Sequence, residues 1–205
     1  LQAKLKTSEA PQVTVGLNHQ MAIWDLKQRL INLNAYLEDT EWGLSAEEQA
    51  DFYPVFWDQG LFDGRRVGLP IFRSAQMLFY NQTWGKELGF QAPPISSAQF
   101  RQQVCAAAQA NNSDAVSAND GTGGWIISTS YTTLLSWIYA FGGDPVISSA
   151  AQTGETVYRF NSSAINEAFS FLRELFDSGC AWQTQNPVPD QPFAQRLGLV
   201  TAGSL

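Results

Sequence analysis

The stretch that decides the fold of this chain is GLPIFRSAQMLFYN, residues 68–81. Its Gly-Leu-Pro start, polar Arg-Ser-Ala-Gln centre and apolar Met-Leu-Phe-Tyr run predict a loop that leads into a buried strand. Pro70 fixes its own φ and pushes Leu69 toward extended geometry, so a helix is not expected here. Asn81 ends the apolar run and is a suitable N-cap for a following helix. Taken alone, the stretch predicts a core strand preceded by a loop.

Composition narrows the classes of function. Hydrophobic residues make up 44% of the 205 residues, enough to bury a core and to form one or two domains. Aromatic residues make up 13%, and flat rings stack on sugar faces, which indicates carbohydrate-like or apolar-ring ligands. The net charge of −7 argues against binding to nucleic acid or to an anionic membrane surface, because both bind mainly through Lys and Arg.

Targeting signals and metal-binding patterns are sparse. No apolar run has the length of a transmembrane helix, and no charged n-region followed by an apolar h-region opens the chain. The first residues look like the end of a helix, so we expect the segment to begin inside a larger protein. His19 is the sole histidine, which argues against a His-based metal site, and no cofactor is expected. Cys105 and Cys180 form either one long-range disulfide or two buried thiols.

Helix and strand signals alternate along the chain. Residues 1–10 predict the end of a polar helix, residues 11–16 a short strand and residues 21–30 a helix. Ser45 and Glu48 have the spacing of a capping box for a short helix ending near Pro54, and Asp63 and Gly64 predict a tight hairpin turn. The other predicted helices cover residues 82–88, 97–110 (capped by Ser96), 131–141 (capped by Thr129 or Ser130) and 164–178, with a helical turn over 192–196. The other predicted strands cover residues 125–127, 157–160 and 197–201. Loops are predicted over residues 111–124 and from residue 180, and a hairpin over residues 148–156. This alternation is typical of the α/β class.

Two of these helices carry clear core signals. The helix over 164–178 is amphipathic, and the side chains predicted to face a core are Ile165, Ala168, Phe169, Leu172 and Phe176. Trp137 lies in the middle of the helix over 131–141, among leucine and isoleucine residues, and is also predicted to be a core residue.

Short motifs follow one another in a recognisable order over nearly the whole chain. They are PQVTV at 11–15, DG at 63–64 before GLP at 68–70, LFYN at 78–81, PP at 93–94 before a helix start at 96, WIYAFGGD at 137–144, FNS at 160–162, the run from 172 to GCA at 179–181, and FA at 193–194 before VTAGS at 200–204. In this order they resemble the extracellular solute-binding proteins of ABC importers, in the sugar-type branch called family 1. The chain departs from that family at Gln12, where Asp is usual, and lacks the Trp that often follows the proline pair.

The resemblance implies a periplasmic-binding-protein-like (type II) α/β fold of two lobes, of which this chain is a part. Residues 1–72 would belong to lobe 1, residues 73–195 to lobe 2, and residues 196–205 to a strand that returns to lobe 1. Ligand would be held in a cleft between lobes that close about a hinge. In that setting residues 68–81 are the passage from one lobe to the other.

The resemblance also implies a function. It implies a solute-binding protein, not an enzyme, that captures a sugar or polyol and delivers it to an ABC permease. Such a protein is expected to be an extracytoplasmic monomer, in the periplasm or lipid-anchored on the cell surface as a lipoprotein, with its signal sequence outside this chain. Export favours a disulfide between Cys105 and Cys180, because disulfides persist in oxidising compartments.

By resemblance, ligand contacts come from the loop after the first strand, the lobe crossing, the start of the helix over 131–141 and the returning strand. The residues that map to these places are Asn18, His19, Arg73, Ser74, Ser130, Tyr131, Thr132 and Ser204. Amide, imidazole, guanidinium and hydroxyl groups suit the hydroxyls of a polyol. Trp125 and Trp182, predicted on loops or strand ends, are candidates for an aromatic face beneath a sugar ring.

Some of these residues have a structural alternative that the sequence leaves open. His19 is otherwise a surface or helix-cap histidine, Arg73 otherwise pairs with a carboxylate, and Trp182 otherwise packs beneath the loop at Cys180. Each alternative needs only packing or a local hydrogen bond and no ligand.

Enzymatic functions find little support in the sequence. A glycoside hydrolase needs two carboxylates across a cleft, and the surroundings of Asp144 and Asp190 do not single out such a pair. Nucleophile-elbow, phosphate-loop and dinucleotide fingerprints are absent, and no serine motif accompanies His19. The alternative from another class is a ligand-sensing receptor module, which would dimerise.

Overall fold

The structure is a computed structural model that describes residue 4 and residues 7–128, 130–148, 156–185 and 189–204. The chain divides into two compact units, Leu1–Arg73 and Ser74–Leu205. The partition into 1–72, 73–195 and 196–205 that the resemblance implies stays a prediction. The predicted cap Thr129 and most of the predicted hairpin over 148–156 lie outside the described residues.

The first unit consists of short elements. Its helices and strands are α1 (Asn18–Leu26), α2 (Asn34–Leu37), α3 (Ala46–Ala50), α4 (Pro54–Trp57), β1 (Leu61–Phe62) and β2 (Arg65–Arg66). β1 and β2 pair in antiparallel orientation. The turn between them has φ values of 48° at Asp63 and 76° at Gly64, the left-handed conformation that a two-residue hairpin turn requires. The predicted Asp-Gly hairpin is therefore confirmed.

Ser45 and Glu48 form the predicted capping box at the start of α3. The Glu48 amide donates to Ser45 Oγ at 3.2 Å, and the Ser45 amide donates to Glu48 Oε2 at 2.8 Å. These two bonds satisfy amides that a helix start otherwise leaves unpaired. The helix is shorter than predicted, because α3 ends at Ala50 and Pro54 begins α4. Proline suits that first helical position, since its missing N–H has no intrahelical partner there.

The predicted strand over residues 11–16 is wrong, because these residues form no strand. The predicted helix end over residues 1–10 lies partly outside the described residues, with residue 4 in a 3₁₀-helical conformation and residues 8–9 in a turn. Val13 and Val15 are 88% and 62% exposed, and no described strand of this unit pairs with them. A strand needs the backbone groups of a neighbour, so β propensity alone does not form one. α1 spans Asn18–Leu26, earlier than the predicted 21–30.

Trp24 and Arg66 are buried in the first unit. Trp24 is 3% exposed and Arg66 is 6% exposed. The Arg66 guanidinium lies 3.9 Å from the centroid of the Trp57 ring, and its Nη1 donates to the Trp57 carbonyl at 2.5 Å. Burial lowers the pKa of the Arg66 guanidinium below its usual value. The cation–π contact and the hydrogen bond offset the cost of burying this charge.

The second unit is built around a mixed sheet. Its elements are β3 (Gln76–Tyr80), α5 (Gln82–Glu87), α6 (Ser97–Ser113), β4 (Gly123–Ile126), α7 (Tyr131–Ala140), β5 (Val146–Ser148), β6 (Thr156–Tyr158), α8 (Ser163–Asp177), β7 (Ala181–Trp182), α9 (Asp190–Ala194) and β8 (Gly198–Ser204). The strand order of the sheet is β3-β8-β4-β7, with β3 antiparallel to β8 and β4 parallel to both β8 and β7. β5 and β6 form a separate antiparallel pair.

Side-chain caps start the main helices of this unit. The side chains of Asn81, Ser96, Ser130 and Ser162 accept backbone amides in the first turns of α5, α6, α7 and α8, the first three at predicted caps. Gly89, with φ of 93°, follows α5 in the left-handed conformation that is common just after a helix. Local hydrogen-bond chemistry therefore determines these boundaries.

Aromatic rings fill the centre of the core of the second unit. The Phe100 ring lies 5.6 Å from that of Trp125 and 5.0 Å from that of Trp137, and the two indoles are 5.3 Å apart. Edge-on and tilted contacts at these distances are favourable arrangements of aromatic quadrupoles. Trp137 is 8% exposed, so its predicted core position is confirmed.

The predicted core face of α8 is confirmed at Ile165, Ala168 and Leu172 and wrong at Phe169 and Phe176. Phe169 and Phe176 are 41% and 51% exposed, whereas Phe171 and Leu175 are buried. The buried positions 165, 168, 172 and 175 continue one stripe along the helix, and residue 171 lies beside it. Phe169 directly follows Ala168, and Phe176 directly follows Leu175. Because one step along a helix turns a side chain by about 100°, both phenylalanines point away from the buried stripe.

A disulfide joins α6 to the start of β7. It links Cys105 and Cys180, whose Cα atoms are 4.4 Å apart, so the disulfide alternative is the one that the structure contains. The predicted loop from residue 180 is wrong, because Ala181 and Trp182 form β7 beside β4. The ladder with β4 supplies the neighbour that this short segment needs to be a strand.

Candidate functional site

Most of the predicted site residues of the second unit lie at one edge of its sheet: Ser74, Ser130, Tyr131, Thr132 and Ser204. β4, β7 and β8 run parallel, so their last residues Ile126, Trp182 and Ser204 share this edge. β3 runs in the opposite direction and begins there, with Gln76 opposite Ser204. Ligands of α/β proteins bind outside the carboxyl ends of such strands. We call this edge the carboxyl edge, and it is the candidate site.

The start of α7 supplies hydroxyl groups at the carboxyl edge. β4 ends at Ile126 and α7 begins at Tyr131, which brings the helix start to the same edge. The Ser130 hydroxyl accepts the Thr132 amide at 3.3 Å and lies 2.6 Å from Thr132 Oγ1. Tyr131 is 61% exposed. Two hydroxyls and a phenol ring are therefore presented together.

Ser74 lies just before β3 and Ser204 ends β8, at the other side of this edge. Ser74 is exposed and precedes β3, and Ser204 is the exposed last residue of β8. Because Gln76 is opposite Ser204, the chain approaches β3 next to the end of β8. The structure thus brings Ser74, Ser204 and the start of α7 to one edge of the sheet, and their contact with a ligand stays a prediction.

The first unit contains three of the predicted site residues, namely Asn18, His19 and Arg73. Arg73 is exposed, donates from Nη1 to the Phe72 carbonyl at 3.0 Å and lies 5.6 Å from the Phe56 ring centroid. It makes no ion pair within the described part of the chain. Asn18 Nδ2 donates to Gln59 Oε1 at 2.6 Å.

His19 is exposed in the first turn of α1. The cap of α1 does not use it, because the Leu17 amide donates to the Gln20 side chain at 2.9 Å. The helix-cap alternative for this histidine is therefore not supported. Whether Asn18 and His19 contact ligand stays a prediction.

The two tryptophans predicted to stack on a sugar are placed differently from expectation. Trp125 is 0% exposed and packs in the core against Phe100 and Trp137, which corrects its assignment as a ring open to ligand. Trp182 ends β7 and is half-buried, and its Nε1 donates to the Leu197 carbonyl at 2.8 Å. Leu197 precedes β8, at the end of that strand opposite the carboxyl edge, so the packing alternative is favoured for Trp182.

Two pockets lie beside α7. The larger, about 500 Å³, is mainly apolar, and its lining includes Leu78, Tyr80, Pro93, Ile95, Phe100 and Phe141. Burial raises the pKa of the Tyr80 hydroxyl above its ordinary value. The smaller, about 100 Å³, is the edge pocket, and its lining includes Gln76, Met77, Leu78, Thr133, Trp137 and Ala202. Gln76 of this lining is the strand partner of Ser204.

Thr133 is a residue of this region that sequence reasoning missed. A signal for it is present, because Thr133 precedes Trp137 by four residues and both therefore lie on the side of α7 that packs inward. A polar residue on the buried side of a helix needs a partner, from the protein, water or a ligand.

Other kinds of site find no counterpart in the described ranges. Among these residues, no group of three or more His, Cys, Asp or Glu side chains is placed to hold a metal ion. No helix described there has both the length and the apolar character to cross a membrane.

The sequence matches no protein-family model and no curated protein. Solved structures do share its fold. An ABC substrate-binding protein from Listeria monocytogenes in complex with cycloalternan matches with a TM-score of 0.77 and 18% identity, over 100% of this chain and 50% of its own. UgpB from Mycobacterium tuberculosis in complex with glycerophosphocholine matches with a TM-score of 0.76 and 17% identity, over 99% of this chain and 47% of its own.

An ABC transporter solute-binding protein from Thermotoga lettingae bound with α-D-tagatose also matches, with a TM-score of 0.74 and 18% identity, over 100% of this chain and 50% of its own. The chain therefore spans about half the length of the solved structures that it matches. At these identities the likeness shows the fold alone. The predicted periplasmic-binding-protein-like α/β fold is confirmed as a partial chain, and so is the resemblance to sugar-binding ABC solute-binding proteins at the level of fold.

Proposed function

We propose that this chain is part of an extracytoplasmic solute-binding protein that captures a sugar or related polyol and delivers it to an ABC permease. The observation that carries the proposal is the fold: the whole chain matches binding proteins whose solved complexes contain sugars or glycerophosphocholine. These proteins are binding components of transporters, and we propose a binding role without enzymatic activity for this chain as well.

The carboxyl edge supports a polyol ligand through its chemistry. Ser74, Ser130, Thr132 and Ser204 offer hydroxyl groups there, each of which donates one hydrogen bond and accepts two. Sugar hydroxyls have the same dual character, so such groups bind one another without burying a charge. Tyr131 adds an exposed ring with a polar tip. We propose that these residues contact the ligand, joined by Asn18, His19 and Arg73.

The disulfide supports an extracytoplasmic location. A bond between Cys105 and Cys180 persists in an oxidising compartment and is rare in the reducing cytosol. The proposed setting is the periplasm or the outer surface of the cell, with a lipid anchor in the second case. We propose a monomer whose partners are the ligand and the permease subunits.

The first prediction tests binding by thermal unfolding of the 205-residue chain with glycerol, glycerophosphocholine, D-tagatose and maltose. At least one of these should raise the melting temperature in a concentration-dependent manner, because ligand at a hundredfold excess over Kd adds about 2.7 kcal/mol to the free energy of unfolding. Ser74→Ala should weaken that response, because it removes a hydroxyl from the carboxyl edge. Ser170→Ala, an exposed serine on α8, is the matched control and should respond like the wild type.

A melting temperature that stays constant across all four compounds up to high millimolar concentration would contradict the proposal. Hydrolysis of maltose or another glycoside would instead favour an enzyme.

A further inference from the structure

We propose that an open apolar groove beside β3 is covered by an amphipathic helix from polypeptide outside residues 1–205. The groove consists of the larger pocket and the edge pocket, which share Leu78, Trp137 and Ala140 in their linings. We call the two pockets together the β3 groove. The inference concerns how the fold of the second unit is completed, and it does not rest on the proposed ligand.

The β3 groove lies between a strand and a helix of the second unit. β3 contributes the alternate residues Gln76, Leu78 and Tyr80, which lie on one face of the strand. α7 contributes Trp137 and Ala140, which are three residues apart and therefore neighbours on the helix surface. The 5 residues of β3 span ~15 Å, which equals about three turns of an α-helix. The strand is therefore long enough to support a short helix laid along it.

The β3 groove is an exposed apolar surface and not a closed cavity. Its two pockets have volumes of about 500 Å³ and about 100 Å³. Leu78 and Ile95 in the lining are 51% and 90% exposed. A small-molecule site encloses most of its ligand, whereas these side chains lie open on the surface. Contiguous apolar surface that is open in this way marks an interface with other polypeptide.

The lining defines the chemistry of the surface that covers the groove. The described residues that line it include no Lys, Arg, Asp or Glu, so a charged surface would lose its hydration there without a counter-charge. A helix pairs its own backbone N–H and C=O groups, which a mainly apolar lining cannot do for an extended segment. Apolar side chains at helical spacing form a stripe that fits an elongated groove. An amphipathic helix therefore suits the β3 groove.

The covering helix is assigned to further polypeptide of the same protein and not to a second copy. Two of the matching solved structures align with 100% and 99% of this chain but with only 50% and 47% of their own length. About half of their polypeptide thus has no counterpart in these 205 residues. A helix in the same polypeptide docks at a high effective concentration, without the entropic cost of bringing two molecules together.

The second prediction compares the 205-residue chain with the full-length natural polypeptide that contains it. Both native cysteines are in the disulfide, so Ala140→Cys introduces a free thiol into the β3 groove. Methyl methanethiosulfonate should modify this thiol readily in the 205-residue chain, where residue 140 is exposed. In the full-length polypeptide the modification, followed by mass spectrometry of the peptide, should be at least about tenfold slower, because the helix opens only transiently.

Tyr139→Cys is the matched control for accessibility. Tyr139 precedes Ala140 on α7, is 54% exposed and lines neither pocket. Its replacement thiol should react at similar rates in the two polypeptides.

A buried charge gives a second readout. Ala140→Glu should change the melting temperature of the 205-residue chain little, since the new side chain remains in solvent. In the full-length polypeptide it should lower the melting temperature clearly, because the covering helix would enclose an unpaired carboxylate. Tyr139→Glu adds the same charge one residue earlier in α7 and should act alike on both polypeptides.

The outcomes decide between the possible occupants. Equal modification rates of Ala140→Cys in the two polypeptides, or an equal effect of Ala140→Glu on both, overturn the proposal. A natural polypeptide no longer than these 205 residues overturns it as well. So does a full-length dimer, seen by sedimentation velocity, that Ala140→Glu dissociates, because a second copy would then cover the groove. Slower modification at position 140 together with a larger loss of melting temperature supports the proposal, whether or not the protein binds a sugar.

Discussion

At the scale of single residues, Glu48 shows how a local hydrogen bond sets a charge state. Its carboxylate accepts the Ser45 backbone amide, which lowers the pKa of Glu48 below its ordinary value of 4.5. The pKa values of Asp39 and Asp114 are lowered as well. The Asp39 carboxylate accepts the Trp42 and Glu41 amides. A depressed carboxyl pKa means that the charged form contributes stability above the unfolded-state pKa, and that this contribution is lost as pH falls through the folded-state pKa.

The third prediction follows for Glu48. Its side-chain carboxyl should titrate below pH 4.5 in an NMR titration of the folded chain, and Glu48→Gln should lower the melting temperature more at pH 7 than at pH 3, because protonation of the carboxylate weakens its contribution as pH falls. Glu47→Gln, one residue earlier in the same helix turn, controls for the loss of one negative charge near the start of α3. A titration midpoint at or above 4.5, or an equal effect of Glu48→Gln at both pH values, would show that the capping box does not form in solution.

At the scale of secondary-structure elements, the disulfide between α6 and β7 is the strongest constraint outside the sheet. It closes a loop with a sequence separation of 75 residues, and cross-linking a loop of that length removes unfolded-state entropy equivalent to about 4 kcal/mol. Both elements also contribute buried residues to the core, which includes Val104 and Ala181. The disulfide therefore reinforces packing that already exists.

The fourth prediction is that Cys105→Ala/Cys180→Ala lowers the free energy of unfolding by about 4 kcal/mol, because the open chain regains that entropy. Urea unfolding followed by Trp fluorescence measures the change. The far-UV circular dichroism spectrum of the double variant should match that of the wild type at low temperature, since the core packing remains. An unchanged urea midpoint would mean that the two thiols are not bonded in the folded protein.

At the scale of the whole molecule, burial is distributed unevenly between the two units. Val104, Trp125, Ile165 and Leu199 of the second unit are 0% exposed. The first unit, by contrast, has strands of two residues only among its described elements, and Trp42 there is 81% exposed. Segments with few buried apolar side chains open locally at low free energy.

The fifth prediction concerns hydrogen exchange of backbone amides, measured by mass spectrometry. The slowest amides should belong to β4, β8, α6 and α8 of the second unit, because their opening exposes the core. Peptides that cover residues 7–45 should exchange fastest within the described residues. Slow exchange in residues 7–45, at the level of β8, would show that the first unit is as stable as the second.

The local features of this fold are predictable from the sequence. The caps at Asn81 and Ser96, the capping box at Ser45 and the Asp-Gly turn at residues 63–64 all occur where the sequence places them. Each depends on a hydrogen bond or a φ preference that acts within three or four residues. The alternation of strands and helices from residue 76 onward is predictable for the same reason, since it is a sum of such local signals.

Burial and strand partners are decided by the tertiary structure. The sequence predicts that Trp125 stacks on a ligand, but in the structure Phe100 and Trp137 enclose it in the core. The sequence predicts that Phe169 is a core residue, but its side chain is exposed. Residues 11–16 have β propensity and no strand beside them among the described residues. The sequence by itself determined where the capped helices start and where the Asp-Gly turn lies, because those signals are local. The fold decided which faces meet, because packing joins residues that are distant along the chain.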